Sequence, residues 1–259
     1  MTQFATAPDG VKIAYEIAGE GKPIVLVHGF ASDRVQNWRA PGWYQTLNGG
    51  GYKVIAMDNR GHGESDKPHD PKAYGHETMA NDVITIMKAA GVSKTFLMGY
   101  SMGGYISMAL AVKHPELFEK VVIGGVGASY LDLKAAEAAV ADPQRRLMIA
   151  DALMVEDAST ITNRTARDFR AFADQAGKDR IALAACMRGS RDVFSRETLA
   201  KVQTPVMVVC GEKDVLTGAP DPLAAAFAHG RAVTVPNRDH MTAVGDKVYK
   251  QAVLEFFAG

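Results

Sequence analysis

A serine among small residues, a loop histidine and a carboxylate behind a glycine-closed apolar run are the side chains here that could act together. Ser101 lies in Thr95-Phe96-Leu97-Met98-Gly99-Tyr100-Ser101-Met102-Gly103-Gly104-Tyr105, an apolar run that breaks around the serine and resumes with helical spacing. The pattern reads as strand, sharp turn, helix. Such a turn, a nucleophile elbow, lifts a hydroxyl off the end of a sheet, and Gly99, Gly103 and Gly104 let neighbouring backbone come close. A neutral hydroxyl is a poor nucleophile, so the chemistry needs a base within hydrogen-bond reach and a third group that holds the base in one tautomer.

Seven histidines compete for the role of base. His62, His69 and His76 fall in a polar loop and helix start, His114 sits at a helix end beside Pro115, and His229 ends the helical run Leu223 to Ala228. His28 ends an apolar strand. His240 lies in Pro236-Asn237-Arg238-Asp239-His240-Met241, a loop after the final strand that can swing over the elbow, and is the expected base. For the carboxylate, Gly211-Glu212-Lys213-Asp214 directly follows a buried strand. Asp214 is best placed; Glu212 and Asp221 are neighbouring alternatives, and Asp192 is a weaker one. Together these residues would transfer an acyl group: His240 takes the Ser101 proton and the alkoxide attacks a carbonyl.

The elements that must position these residues alternate. Residues 3 to 18 flank the turn signal Asp9-Gly10 and read as two edge strands. Pro23 to Gly29, Tyr52 to Asp58, Thr95 to Tyr100, Lys120 to Gly125 and Pro205 to Gly211 are short apolar runs, as buried parallel strands are. Helical patterns cover Glu77 to Ala90, Met102 to Lys113 and Lys247 to Phe257, and Arg231 to Val235 is a last strand. Strands alternating with helices specify an α/β sheet with helices on both faces.

From Ser129 to Thr198 no buried-strand run occurs. The stretch is alanine-rich and helical, with helices expected at Leu131 to Val140, Arg145 to Met154, Thr160 to Ala176 and Asp179 to Met187. It reads as a helical lid over the carboxyl ends of the strands, where ligands bind in such sheets. Its nine arginines could mark an acidic-substrate site, but they are interspersed with acids, which favours a solvated helical surface. The expected division is a core of 1–128 and 199–259 with a cap at 129–198.

Composition narrows the partners. The chain has 259 residues, 47% of them hydrophobic, as in a well-packed globular protein. Its 29 basic and 29 acidic residues cancel, which leaves no electrostatic footprint for nucleic acid or an anionic membrane. The first residues hold neither a basic region nor a continuous apolar core, so a cytoplasmic location is expected. Cys186 and Cys210 make neither a disulfide framework nor a zinc site and read as buried thiols. No metal or cofactor is expected, and oligomeric state is not written in the spacing.

The order Ser101 in Gly-Tyr-Ser-Met-Gly-Gly, Asp214 in Gly-Glu-Lys-Asp and His240 in Asp-His-Met resembles the α/β-hydrolase superfamily over almost the whole chain. Val27-His28-Gly29-Phe30 and Asp58 to Ser65 are similar to its oxyanion-loop and glycine-rich motifs. The resemblance implies a mostly parallel eight-stranded sheet with a helical cap after the sixth strand, in the branch of serine esterases, lactonases and perhydrolases. It implies backbone N–H donors from Phe30 and Met102 for the oxyanion, a role that suits the first turn of a helix. His28 is expected to orient that loop and to border the substrate, and Arg60 and Ser65 to brace the glycine-rich turn. Phe30, Met102, Leu216 and Met241 would give the pocket apolar walls.

The expected function is hydrolysis of small, largely apolar carboxylic esters or lactones through an acyl-enzyme. Serine at the elbow disfavours the epoxide hydrolases and haloalkane dehalogenases of this fold, which by the resemblance carry aspartate there. A cofactor-free perhydrolase or a carbon–carbon bond hydrolase would share the triad, and a small-molecule receptor of the same fold is the alternative from another class.

Overall fold

Eight strands form one sheet in a computed structural model that describes residues 1–175 and 177–259. They are β1 (Gln3–Thr6), β2 (Lys12–Ala18), β3 (Lys22–Val27), β4 (Tyr52–Met57), β5 (Thr95–Tyr100), β6 (Phe118–Gly124), β7 (Val206–Gly211) and β8 (Gly230–Val235). The sheet order is β1-β2-β4-β3-β5-β6-β7-β8. β1 with β2 and β2 with β4 are antiparallel, and the remaining pairs are parallel. Only β1 of the first hairpin is therefore an edge. β2 pairs on both sides, and its residues Ile13 to Glu16 are all buried, so the expectation of two edge strands there is corrected.

Alternation along the strands builds two apolar layers. Val25, Val27, Leu97, Val121, Ile123, Val206 and Val208 face one core, which takes up α2 (His76–Ala89) and α3 (Met102–Lys113). Ile24, Leu26, Phe96, Met98, Val122, Met207 and Val209 face the other, packed on α1 (Trp43–Gly49) and the terminal helix (Lys247–Ala258). Both faces of the central strands are thus buried, which is why they read as unbroken apolar runs. No helix among the described residues is long and apolar enough to cross a membrane.

Between β6 and β7 the described chain carries α4 (Pro143–Met154), α5 (Arg164–Ala173), α6 (Arg180–Arg188) and the short α7 (Arg196–Leu199). Asp142, Asn163 and Asp179 cap the first three, and Pro143 opens α4 at the position where its missing N–H costs nothing. Those caps move the expected starts: α4 begins at Pro143 and α5 at Arg164, while Ala176, the expected end of α5, lies outside the described residues.

The helix expected at Leu131 to Val140 does not form. There the Ala138 and Val140 N–H groups donate to the carbonyls of Val215 and Leu216, 2.8 and 3.2 Å away, instead of to a helical ladder. Likewise the helix expected at Leu223 to Ala228 is α8 (Asp221–Ala224), and the His229 carbonyl accepts the Val206 N–H at 3.0 Å. The terminal helix is α9.

Candidate active site

Ser101 leaves β5 with φ 52° and ψ −115°, a left-handed conformation that a serine adopts only when its surroundings impose it. They do: its N–H donates to the Gly124 carbonyl at 2.8 Å, and its carbonyl accepts the Tyr105 N–H at 3.1 Å as α3 begins. The small residues foreseen around it are required by contact. A Cβ on Gly103 would strike the carbonyls of Val27 and His28, and one on Gly104 would lie 2.8 Å from the Gly124 oxygen.

His240, in the loop after β8, brings Nε2 to 2.9 Å from Ser101 Oγ. Its Nδ1 stands 2.7 Å from Asp214 Oδ2, in the loop after β7. A carboxylate only accepts, so Nδ1 carries the proton and Nε2 is left to accept from the serine hydroxyl. The other Asp214 oxygen accepts the N–H groups of Leu216 and Thr217 at 2.9 and 3.0 Å. Burial presses the Asp214 carboxyl upward, but the adjacent His240 ring, with Thr217 and Leu216, holds it below its ordinary value. Glu212 instead accepts the Asn237 N–H, Asp221 opens α8, and Asp192 pairs with Lys113 at 2.7 Å.

The loop after β3 is held from below. His28 Nε2 accepts the Asn59 N–H at 2.9 Å, so Nδ1 is the protonated nitrogen, directed at the Gly29 carbonyl 2.7 Å away. Burial pushes the His28 pKa down, which keeps the ring neutral. Asn59 Nδ2 also donates to the His28 carbonyl at 3.0 Å, and Asn37 Oδ1 accepts the Gly29 N–H at 3.0 Å. His28 is fully buried and does not border the cavity, so its expected contact with substrate is corrected: its ring is taken up by the Asn59 N–H and the His62 ring, 5.2 Å away. Arg60 clamps Asp82 through two bonds of 2.7 Å and Asp9 through two of 2.6 and 3.2 Å, and Ser65 Oγ donates to the Asp58 carbonyl at 2.6 Å.

A cavity of about 970 Å³ opens over Ser101 and His240. Phe30, Leu216 and Met241 line it as expected, together with Phe169 and Phe172 of α5. Met102 does not: its side chain points into the core, with Sδ 3.6 Å from the Cys186 thiol, and only its backbone remains at the elbow. Both cysteines are buried and free.

Around the His240 ring two contributors were not foreseen. Tyr100 donates its hydroxyl to the His240 carbonyl at 2.6 Å, fixing the histidine loop. Gly125, at φ 60°, leaves room for the ring, since a Cβ there would lie 3.1 Å from His240 Cε1 and 3.3 Å from the Ser101 nitrogen. The glycine pair closing β6 was the available signal for the second; nothing local marked the first.

The sequence model of the alpha/beta hydrolase fold matches residues 22–245. The chain belongs to the α/β-hydrolase family. This member is 30% identical over 224 residues to human Serine hydrolase BPHL, an alignment spanning 83% of the chain and 72% of that protein. With mouse Epoxide hydrolase 4 it shares 36% identity over 118 residues, 44% of the chain but only 31% of that protein. In structure the α/β hydrolase is similar to a Pseudomonas aeruginosa hydrolase, with a TM-score of 0.80, 25% identity, and 100% and 98% of the two chains covered. It also shares its fold with the enol-lactonase of Burkholderia xenovorans LB400, at TM-score 0.78 and 22% identity, covering 99% and 100%.

Proposed function

We propose that the protein is a serine hydrolase that cleaves small carboxylic esters or lactones with a largely apolar acyl chain through an acyl-enzyme on Ser101. The observation that carries this reading is the continuous hydrogen-bond chain from Ser101 Oγ through the His240 ring to the buried Asp214 carboxylate. In the cycle, His240 Nε2 takes the hydroxyl proton while Ser101 Oγ bonds to the carbonyl carbon. The developing oxyanion receives the backbone N–H groups of Phe30 and Met102, the latter at the positive end of α3. Collapse breaks the bond to the alcohol, which leaves with the proton from His240. Water then repeats the two steps, releasing the acid and restoring the serine.

Serine at the elbow favours this acyl chemistry over epoxide opening, despite the partial likeness to an epoxide hydrolase. Residues 129–198 act as the lid of the cavity, and Phe30, Leu216, Met241 and Phe169 seat the acyl chain. Assays with p-nitrophenyl acetate and butyrate test the proposal. Turnover is expected from the wild type, with a loss of about 10³-fold or more in Ser101→Ala. An inert wild type, or a fully active Ser101→Ala protein, overturns it.

A further inference from the structure

The arginines between β6 and β7 divide by what they touch. Arg146 donates to the carbonyls of Met187 and Gly189 at 3.1 and 2.8 Å, and Arg170 holds Asp174 and the Val155 carbonyl at 2.9 and 2.6 Å. Arg188 pairs with Asp151 at 2.7 Å, Arg180 with Asp174 at 3.5 Å, and Arg191 donates to the Cys186 carbonyl at 2.8 Å. These side chains tie the insertion together.

Arg145 is different. It lines the cavity over Ser101, and it has no ion-pair partner among the described residues. Its Nε is enclosed without an acceptor. It also stands in the first turn of α4, where a cation opposes the helix dipole, so helix stability does not explain it. Of the acids on the same wall, Asp168 lies 3.9 Å from Arg164, and Asp239 accepts the Thr242 hydroxyl and two N–H groups. Glu137 is exposed and forms no ion pair with Arg145. A half-buried guanidinium without a counter-charge is a cost that an entering anion removes, and its planar fork matches a carboxylate.

We propose that the cavity takes an ester or lactone whose acyl chain ends in a carboxylate, seated on Arg145, with the apolar wall along the chain and the scissile carbonyl at Ser101. This rests on the serine hydrolase reading of the same cavity. It identifies Arg145 as the specificity-determining residue and the acyl donor as a half-ester of a dicarboxylic acid or a carboxylated lactone.

The test compares mono(p-nitrophenyl) adipate with p-nitrophenyl hexanoate, alike in chain length and different in charge, for the wild type, Arg145→Gln and Arg145→Lys. The wild type is expected to favour the adipate ester in kcat/KM by about tenfold or more after correction for uncatalysed hydrolysis. Arg145→Gln should cut that ratio by about 10- to 100-fold, mainly through KM, with partial recovery in Arg145→Lys. Added salt should weaken the preference in the wild type and in Arg145→Lys, but not in Arg145→Gln. A wild type without preference, or an Arg145→Gln protein slowed equally on both esters, overturns the proposal. Calorimetric titration with adipate separates it from the hydrolase reading. Arg145-dependent binding without turnover would sink only the hydrolase reading, and turnover with adipate affinity unchanged by Arg145→Gln would sink only this one.

Discussion

At the scale of the residue, Ser101 is held where its chemistry needs it and not where its backbone prefers to be. A non-glycine residue at φ 52° and ψ −115° carries strain of about 1–3 kcal/mol. Ser101→Ala keeps that strain, whereas Ser101→Gly releases it and gives back only about 0.5–1 kcal/mol through greater freedom of the unfolded chain. Ser101→Gly should therefore be the more stable of two inactive proteins, by roughly 1 kcal/mol. Thermal unfolding of both decides it: equal melting temperatures, or a higher one for Ser101→Ala, would mean that the elbow stores no strain. Ser101 and Asp214 were legible at this scale because each follows a strand with a strong apolar signature, while His240 stood out by its place in the loop after the last strand and not by β8 itself, whose residues are mostly not buried. Tyr100 and Gly125 were not legible, since both act across space on a ring more than a hundred residues away in sequence.

At the scale of the element, the seat of α3 on the end of β3 sets where the hydroxyl points. A Cβ on Gly103 would lie 2.8 Å from the His28 carbonyl oxygen and closer still to that of Val27, and backbone carbonyls have no rotamer by which to retreat. Gly103→Ala should cost about 1–3 kcal/mol and lose most of the proposed hydrolytic turnover, because relief requires α3 to lift. Urea unfolding together with p-nitrophenyl butyrate assays measures both effects, and an active variant of unchanged stability would contradict the packing. The strands were readable because burial on both faces writes them as apolar runs. The insertion was read less well. Alanine-rich composition favours a helix at Leu131 to Val140, but carbonyls of Val215 and Leu216, more than seventy residues on, claim its N–H groups, and tertiary bonding outweighs propensity. Caps at Asp142, Asn163 and Asp179 were present in the sequence and give the true helix starts.

At the scale of the whole molecule, burial of histidines taken at first as polar loop residues couples the fold to pH. Burial pushes the pKa of His62 and of His76 down to about 3, from an ordinary value of 6.5. Below pH 6.5 the unfolded chain therefore binds protons that the folded chain refuses, and stability falls as pH drops toward 3. The slope is at most about 1.4 kcal/mol per pH unit for each histidine. His76 does not line the cavity over Ser101, its Nδ1 accepts the Asp192 N–H at 3.0 Å, and it makes the cleaner probe. Between pH 6 and 5 the wild type should lose about 1.2 kcal/mol more than His76→Gln in urea unfolding. Parallel stability curves would show that His76 is not held neutral.

The sheet order has one more consequence. Ser101, Gly125, Asp214 and His240 follow β5, β6, β7 and β8, four neighbours in a row, so backbone pairing brings the strand ends that carry them side by side, and the Tyr100–His240 hydrogen bond fixes the last loop. Arg145 and the aromatic wall of α5 enter through the connection between the second and third of these strands, which can vary in length and content at little entropic cost. The residues that meet at Ser101 and the cavity wall that the insertion supplies are thus encoded in separate stretches of the chain, and one can be rewritten while the other stays in register.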